Sequence, residues 1–522
     1  MDVSDECSWK KVKMPRSGDK GTLSKSSSDG EENEEERMIQ PTTTTCRSQK
    51  LETIVHRTSS LLQENLPQTK NGWTALLSSL GAILLGYEVH LQTQLSRAPR
   101  VYGQIADGPM NDIYHQMASS HDSLLHKPFR PKLFIGTRAA VASTASYLFP
   151  GPTTEYVEFR EIVQMTMDGA TVAIDWELPV KETVDRGDTE YWINTIRHGP
   201  ISQPIVLVMH GMNNHSNYGY VRSMKRACCK RGWIAAGVNM RGCGGVALTT
   251  PRTYSGAFTA DLRCVVQRLS ARLAPNTPMF LVGNSLSANL VCKYLGEEGL
   301  CGTLPSCVAG GAALGNPMWM QTANTDFIMS PVLALGQKKV LLENWASLCQ
   351  NNEPYFKSCV RRAMRALTLL EFDEAMAPVM ARNDPVYPFA FRVGYKDAKS
   401  LRNDASSFRL ARFISVPFLQ LVAEDDFLVY NTFKSKLVYS ISNPNVLVME
   451  TKCGGHLGWQ QAILPGQSSS WADEATTDFI GAAFDAFPRL RPNHCQVDSS
   501  YFSTSDDRTR FSAQPVPIRS KL

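Results

Sequence analysis

The sequence lacks the patterns that mark metal-dependent, redox and disulfide-rich proteins. Its 13 cysteines include no C-x-x-C pair and no even framework of spacings, which excludes a disulfide scaffold and indicates a reducing, intracellular compartment. It contains no H-E-x-x-H, no zinc-ligand spacing and no P-loop. We therefore predict no metal site and no cofactor.

A strong excess of charge of one sign is also absent. The chain carries 54 Lys and Arg against 49 Asp and Glu, a net charge of +5 over 522 residues, so no basic surface for nucleic acid is predicted. The hydrophobic fraction of 43% is ordinary for a globular core. Length alone allows up to three average domains, although α/β folds often exceed about 250 residues as a single domain.

Apolar residues are scarce at both ends of the chain. Residues 1–70 are polar and poor in aromatics, so they cannot bury enough apolar surface to fold, and we predict a disordered N-terminal tail. The start is too polar for a signal peptide. Residues 491–522 form a polar C-terminal tail that we expect to be mobile.

The first apolar run is residues 71–87, which contain no charged side chain. Its 17 residues are at the lower limit for crossing a bilayer. Trp73 and Tyr87 stand where interfacial aromatics would lie. The pattern predicts a transmembrane or membrane-anchoring helix over 71–90. The alternative is a buried or amphipathic helix packed on the domain.

Strand and helix patterns alternate through most of the remaining chain. After a lead-in over residues 91–154, alternation over 155–490 predicts an α/β fold with a mostly parallel sheet and helices on both faces. Asp168-Gly169 predicts a two-residue hairpin turn near its start. A helical stretch over about 316–412 predicts a cap inserted between two strands.

A serine lies where an apolar strand turns abruptly into a helix. Residues 279–295 read MFLVGNSLSANLVCKYL, with Ser285 at the turn. This is the layout of a nucleophile elbow, in which the flanking residues must be small. Gly283 fits the usual G-x-S-x-G pattern, but Ser287 stands in place of its second glycine.

An acid and a histidine follow the serine in the order that such an elbow requires. His456 and His494 are the histidines beyond the serine, and His456 directly follows an apolar strand whereas His494 lies in the polar tail. Asp425 and Asp426 both follow another apolar strand. The spacing from the small residue Ala423 favours Asp426, with Asp425 as the alternative. We predict a triad of the serine with Asp426 and His456.

Acyl transfer also needs backbone N–H groups that stabilise the oxyanion. One donor is expected from Leu286, which follows the serine, and the other from Met212, in the loop after the apolar strand at 204–209. Gly211 is predicted to provide the backbone conformation that aims Met212. His210 precedes the serine and is expected to brace this loop.

These motifs together resemble the α/β-hydrolase superfamily, and within it the AB hydrolase 4 family of YheT-like bacterial esterases and eukaryotic abhydrolase-domain lipases. The resemblance implies an α/β-hydrolase fold, a lipid-ester substrate and, in eukaryotic members, an N-terminal membrane anchor. The chain departs from the family at Ser287-Ala288, where glycines are usual, and at Phe427, where proline is usual. The segments that carry the resemblance are residues 168–176, 206–222, 239–263, 282–299, 422–429, 443–450 and 453–459.

The function expected from these observations is hydrolysis of carboxylic esters by a serine enzyme. The resemblance points to acylglycerols, phospholipids or medium-chain esters as substrates. It also points to an intracellular membrane location, single-pass or peripheral, with the endoplasmic reticulum as a candidate. Two alternatives stay open: a non-catalytic binding or scaffold protein on the same fold, which Ser287 favours, and a lipid acyltransferase.

Overall fold

The computed structural model describes residues 69–104, 108–119, 123–148, 157–179, 186–320, 329–350, 353–383, 391–461 and 470–489. Residues 1–68 of the predicted N-terminal tail (1–70) and the whole predicted C-terminal tail (491–522) lie outside the described residues. Residue 70 already belongs to a helix. The chain divides into two compact units, residues 1–80 and 81–522. In the described part of the first unit, residues 70–80 are helical.

The helices, in chain order, are α1 (Lys70–Leu95), α2 (Pro109–Ser119), α3 (Ala139–Leu148), α4 (Arg186–His198), α5 (Gly219–Lys230), α6 (Ala260–Ser270), α7 (Leu286–Cys301), α8 (Met329–Glu343), α9 (Trp345–Cys349), α10 (Pro354–Arg365), α11 (Leu369–Met376), α12 (Ala398–Ala405), α13 (Tyr430–Ile441) and α14 (Trp471–Ala486). The strands are β1 (Arg100–Tyr102), β2 (Val157–Gln164), β3 (Thr171–Leu178), β4 (Ile205–Met209), β5 (Ile234–Asn239), β6 (Met279–Asn284), β7 (Val308–Leu314), β8 (Ala381–Asn383), β9 (Phe391–Val393), β10 (Phe418–Ala423) and β11 (Val446–Thr451). Short 3-10 helices cover Ala377–Val379, Ala411–Phe413 and Phe487–Arg489.

Nine of the described strands form one sheet in the order β1-β11-β10-β7-β6-β4-β5-β3-β2. From β11 to β5 every neighbouring pair is parallel, while β1 at one edge and β3 and β2 at the other are antiparallel. Because parallel strands end at one edge of a sheet, the loops after β4, β6, β10 and β11 lie together.

The core lies on both faces of this sheet. Along β4, Ile205 and Leu207 pack into one hydrophobic cluster, whereas Val206 and Val208 pack into another. Side chains of α6, α7 and α13 cover the first face, and those of α2, α5 and α14 cover the second. Strands buried on both faces read as continuous apolar runs, which is why the pattern was visible in the sequence. The predicted fold class is confirmed.

The predicted lead-in over 91–154 is part of the fold. Its strand β1 pairs with β11, and its residues Ile113 and Phe129 are buried in the core. The structured domain therefore begins before residue 155. A three-residue strand has no readable period, so the sequence pattern did not reveal it.

The hairpin at the other edge differs from the predicted two-residue turn. Strands β2 and β3 pair as far as Gln164 and Thr171, so the connection spans residues 165–170. A two-residue type I′ turn needs positive φ at both central positions, but Asp168 does not have it and Gly169 does, with φ of 73°. The Asp168 carboxylate instead forms an ion pair with Arg241, with 2.6 Å between Arg241 Nη1 and Asp168 Oδ2.

Helix α1 is largely exposed along its apolar part. Leu77 is 63% exposed and Ile83 67%. It is the one helix among the described residues that is long and apolar enough to cross a membrane. Glu88 is buried and accepts hydrogen bonds from the Phe134 amide and the Thr137 hydroxyl.

The segment between β7 and β10, where the cap is predicted, holds helices α8 to α12 and the β8–β9 hairpin. It has a hydrophobic cluster of its own that includes Leu348, Phe356, Val360, Phe372 and Leu401. This segment follows β7, next to the strand that carries Ser285.

Candidate active site

Ser285 occupies a strained turn between β6 and α7. Its backbone has φ of 54° and ψ of −116°, a conformation that non-glycine residues rarely adopt. Its amide donates a hydrogen bond to the Leu314 carbonyl at 2.8 Å. The elbow is so tight that a side chain on Gly283 would collide with the Ser287 carbonyl and Ala288. The glycine at 283 is required by this close approach.

Three predicted side chains meet at the carboxyl edge of the sheet. Ser285 Oγ lies 2.8 Å from His456 Nε2, and His456 Nδ1 lies 2.8 Å from Asp426 Oδ2. His456 and Asp426 are both almost fully buried. If Nδ1 carries the proton, it donates to the carboxylate and Nε2 accepts from the serine hydroxyl. This is the hydrogen-bond order of a serine hydrolase.

Backbone and hydroxyl donors fix the acid and the base. The second oxygen of Asp426, Oδ1, accepts from the amides of Leu428 and Val429 at 3.0 and 3.1 Å. The His456 amide donates to the Ser143 hydroxyl at 2.8 Å. Ser143 belongs to α3, in the lead-in, and nothing in the sequence pattern pointed to it. Its position depends on packing between segments more than 300 residues apart.

Asp425 contributes to the same loop in a different way. Its Oδ1 accepts a hydrogen bond from the Gly455 amide at 2.8 Å. Burial raises the pKa of its carboxyl group, against the lowering effect of this backbone donor. The structure therefore brings Asp426 to the imidazole ring, while Asp425 holds the backbone just before His456. His494 lies outside the described residues.

Leu286 directly follows Ser285, and Met212 follows Gly211, whose backbone lies close to the Ser285 side chain. Within the described residues neither the Met212 nor the Leu286 amide donates to an assigned acceptor. Their role in an oxyanion hole stays a prediction. Gly211 is not among the glycines with positive φ. A Cβ on Gly211 would lie 3.1 Å from the Ser285 Cβ, and its role is to allow this close approach.

His210 braces the loop that carries Met212. Its Nε2 accepts from the Met240 amide at 3.1 Å, so its Nδ1 carries the proton and donates to the Gly211 carbonyl at 2.7 Å. Burial lowers the pKa of this imidazole to about 4, which keeps the ring neutral at pH 7. The bond fixes the peptide that joins Gly211 to Met212. The Gly211 amide in turn donates to the Tyr220 hydroxyl at 2.8 Å.

Ser287, the departure from the usual elbow, makes a specific contact. Its side chain is completely buried, and its hydroxyl donates to the His210 carbonyl at 2.5 Å. The hydroxyl therefore ties the elbow helix α7 to the loop that carries Met212. A glycine could not make this bond.

A small cavity is lined in part by Met212 and Leu286, the residues that carry the two candidate oxyanion amides. Most of its wall is apolar, and it includes Met212, Leu286, Met320, Leu369, Phe372 and Met380. Residues of the cap and of the loops that carry Met212 and Leu286 thus share one wall. The sequence pattern missed Asp373 and Arg402, which also border this cavity.

Comparison with known proteins matches this part of the chain. The family model described as "Serine aminopeptidase, S33" matches residues 201–456, from the strand before Met212 to His456 itself.

Three relatives are similar over longer stretches. The embryogenesis-associated protein EMB8 of Picea glauca is 26% identical over 370 residues, which cover 68% of this chain and 72% of the relative. The monoacylglycerol lipase of Saccharomyces cerevisiae is 30% identical over 49% of this chain and 55% of its own length. Phospholipase ABHD3 of Mus musculus is 26% identical over 62% of this chain and 72% of its own length.

The sheet order, the strained serine and these matches define the class. The chain belongs to the α/β-hydrolase superfamily. Within that superfamily it belongs to the AB hydrolase 4 family, and it is a serine ester hydrolase.

Proposed function

We propose that the chain hydrolyses carboxylic esters of lipids through a Ser285-His456-Asp426 triad and an acyl-enzyme. The observation that carries the proposal is the unbroken hydrogen-bond chain from Asp426 Oδ2 through the imidazole to Ser285 Oγ, with 2.8 Å at each step.

In the first half of the reaction, Ser285 Oγ attacks the ester carbonyl carbon while His456 Nε2 takes the hydroxyl proton. The carbonyl oxygen becomes an oxyanion and accepts from the Met212 and Leu286 amides. Collapse of this intermediate breaks the bond to the alcohol oxygen, which leaves with the proton from the imidazolium. Asp426 keeps the ring in the required tautomer throughout.

In the second half, water replaces the alcohol. His456 takes a proton from the water as its oxygen attacks the acyl carbon, and the oxyanion again accepts from the same two amides. The bond between Ser285 Oγ and the acyl carbon then breaks, and the serine regains its proton. The products are the alcohol and a carboxylic acid.

Two observations support lipids as the substrate class. The cavity beside Leu286 has a mainly apolar wall, which suits an acyl ester. Two of the relatives are named monoacylglycerol lipase and phospholipase. Acylglycerols, phospholipids and medium-chain esters are all compatible with these observations.

The proposal includes attachment to a membrane through α1. Its apolar side chains are exposed from Trp73 to Tyr87, and interfacial aromatics stand at both ends of that run. Glu88 is buried against Thr137 and Phe134, so the lipid-exposed part ends before it. The helix would then hold the enzyme close to a lipid substrate.

Labelling with a serine-directed fluorophosphonate tests the nucleophile. Wild type should be labelled and should hydrolyse a panel of lipid esters, while Ser285→Ala should lose labelling and at least about 10³-fold of its rate with an unchanged circular dichroism spectrum. Ser270→Ala, a helix serine bonded to its own Val266 carbonyl, serves as the matched control. Persistent labelling of Ser285→Ala would point to another nucleophile.

A further inference from the structure

A charged pair stands in the otherwise apolar wall of the cavity. Arg402 Nε donates to Asp373 Oδ2 at 2.7 Å, across the packed cap helices α12 and α11. The two side chains keep 11% and 18% of their surface exposed, and both border the cavity. Among the described residues that line it, Arg402 is the only cation and Asp373 the only anion.

This pair leaves a hydrogen-bond donor without a protein partner. Arg402 Nη2 is enclosed and has no acceptor among the described residues. The other polar groups of the wall are satisfied differently: the Gln337 amide donates to the Tyr254 hydroxyl at 2.8 Å, and the Ser255 hydroxyl accepts from the Ala257 amide at 3.2 Å. Among these polar groups, Arg402 therefore carries the enclosed hydrogen-bond donor that has no acceptor.

Fold stability does not account for a charged pair at this place. Replacing a buried ion pair by apolar side chains of similar size is often neutral or stabilising, and an unmatched donor adds a further cost. Phe372 and Leu401, the chain neighbours of the pair, are already buried in the apolar cluster of the cap. The pair shares the cavity wall with Met212 and Leu286, so a molecule bound in this cavity can contact it.

We propose that Arg402 and Asp373 bind the hydroxyl groups of an uncharged polyol ester, such as the glycerol of a monoacylglycerol. The inference rests on the proposed ester hydrolysis and specifies the alcohol side of the substrate. A hydroxyl group both accepts and donates, so one can accept from the guanidinium and another can donate to the carboxylate.

The charge of the wall favours such a headgroup over a phosphate. Asp373 compensates Arg402, so the pair presents no net positive charge. A phosphate would meet the Asp373 carboxylate at close range, and no second cation lines the described wall to offset the repulsion. An acyl chain in the same place would cover the charged pair without offering it a hydrogen bond.

Three esters with one acyl chain test the proposal on the full-length protein. Monodecanoylglycerol carries two free hydroxyls, propyl decanoate carries none, and decanoyl lysophosphatidylcholine carries a phosphate. Measured below their critical micelle concentrations, wild type should show a kcat/KM about 10- to 100-fold higher on the glycerol ester than on the propyl ester, as expected for hydrogen bonds to charged groups. The kcat/KM on decanoyl lysophosphatidylcholine should be lower than that on monodecanoylglycerol.

Variants of the pair separate recognition from packing. Arg402→Lys keeps a cation beside Asp373 but removes the planar second amino group, and Arg402→Met removes the charge. Both should reduce kcat/KM on the glycerol ester by about 10-fold or more and leave the propyl ester within about threefold. Asp373→Asn should shift the ratio towards the lysophospholipid. Arg409→Met, an exposed arginine outside the cavity wall, is the matched control.

Each contrary outcome has a distinct meaning. Equal losses of Arg402→Lys on the glycerol and propyl esters, with an unchanged melting temperature, would make the pair structural and overturn the proposal. A wild type that prefers the lysophospholipid would overturn the choice of an uncharged headgroup. Failure of the proposed function would look different, since wild type would then hydrolyse none of the three esters and resist fluorophosphonate.

Discussion

Two adjacent aspartates at the end of β10 have separate tasks. Asp426 accepts from the imidazole and from two backbone amides, while Asp425 accepts from the Gly455 amide. Both aspartates lie in the turn after β10, in which the Asp426 amide donates to the Ala423 carbonyl, and this turn directs the two carboxylates to different partners. Their identical chemistry hides this difference in the sequence.

Exchanging each carboxylate for an amide should separate the two roles. Asp426→Asn should lower kcat by about 10³- to 10⁴-fold, because an amide favours the wrong tautomer of His456. Asp425→Asn should lose less than about 10-fold, since the amide oxygen still accepts from Gly455. Steady-state rates on one soluble ester decide the ranking, and a larger loss at Asp425 would reassign the acid.

Ser287 shows how the chain accommodates its departure from the family pattern. The hydroxyl bonds to the His210 carbonyl, and His210 in turn fixes the peptide of Met212. Ser287→Gly and Ser287→Ala should both reduce kcat by about 3- to 10-fold, the size of one neutral hydrogen bond, with little change in KM. Steady-state kinetics of both variants, with Ser270→Ala as the control, measure kcat and KM separately. A rate equal to wild type in both variants would show that the contact does not orient the oxyanion loop.

The sequence predicted the three side chains of the proposed triad, which the structure brings within hydrogen-bond distance, but few of the residues that hold them in place. Ser285, Asp426 and His456 each follow an apolar strand, and that local signal is strong. Ser143 and Tyr220 have no such signal, because their contacts exist only after distant segments have packed. The sequence around Arg402 gives no such signal either, because an arginine on a polar helix face is usually exposed to solvent and does not reveal that it borders a cavity.

Among the secondary-structure elements, the longer buried strands could be predicted from the sequence and the shortest strand could not. Strands β4, β6, β10 and β11 are buried on both faces and give continuous apolar runs. Strand β1 has three residues and owes its place to pairing with β11. The lead-in belongs to the domain because β1 pairs with a strand that is distant in sequence. A pattern read over neighbouring residues cannot reveal such pairing.

Helix α1 carries a prediction about location. Replacing exposed Ile83 and Leu84 by lysine should move the protein from the membrane fraction to the soluble fraction, since each charge at a helix centre costs about 3 kcal/mol to insert. Leu335→Lys, at a comparably exposed leucine of the cap helix α8, is the matched control. Fractionation with alkaline carbonate reports the result. Wild type in the soluble fraction would contradict the anchor.

At the scale of the whole molecule, one buried carboxyl group should shape the dependence of stability on pH. Burial raises the pKa of Asp473 to about 6, although the Ser223 hydroxyl donates to it at 2.5 Å. The folded state therefore holds a proton that the unfolded state releases near pH 4. This contribution to stability is fully present below pH 4 and is lost as the pH rises through about 6.

Urea unfolding between pH 4 and 7 measures this effect. Against wild type, Asp473→Asn should show a weaker fall of the free energy of unfolding over that interval, by an amount on the order of 2 kcal/mol. The comparison uses the difference between the two proteins, which removes the titration of all other groups. Parallel curves for both would mean that Asp473 titrates alike in the folded and unfolded states.

The sheet order also governs when activity can arise during biosynthesis. The serine follows β6, while its proposed base follows β11, the last of the described strands to leave the ribosome. Under the proposed mechanism, a nascent polypeptide that has exposed the elbow still has no imidazole to take the serine proton. Ester hydrolysis could therefore begin only after residue 456 has emerged and β11 has paired with β10.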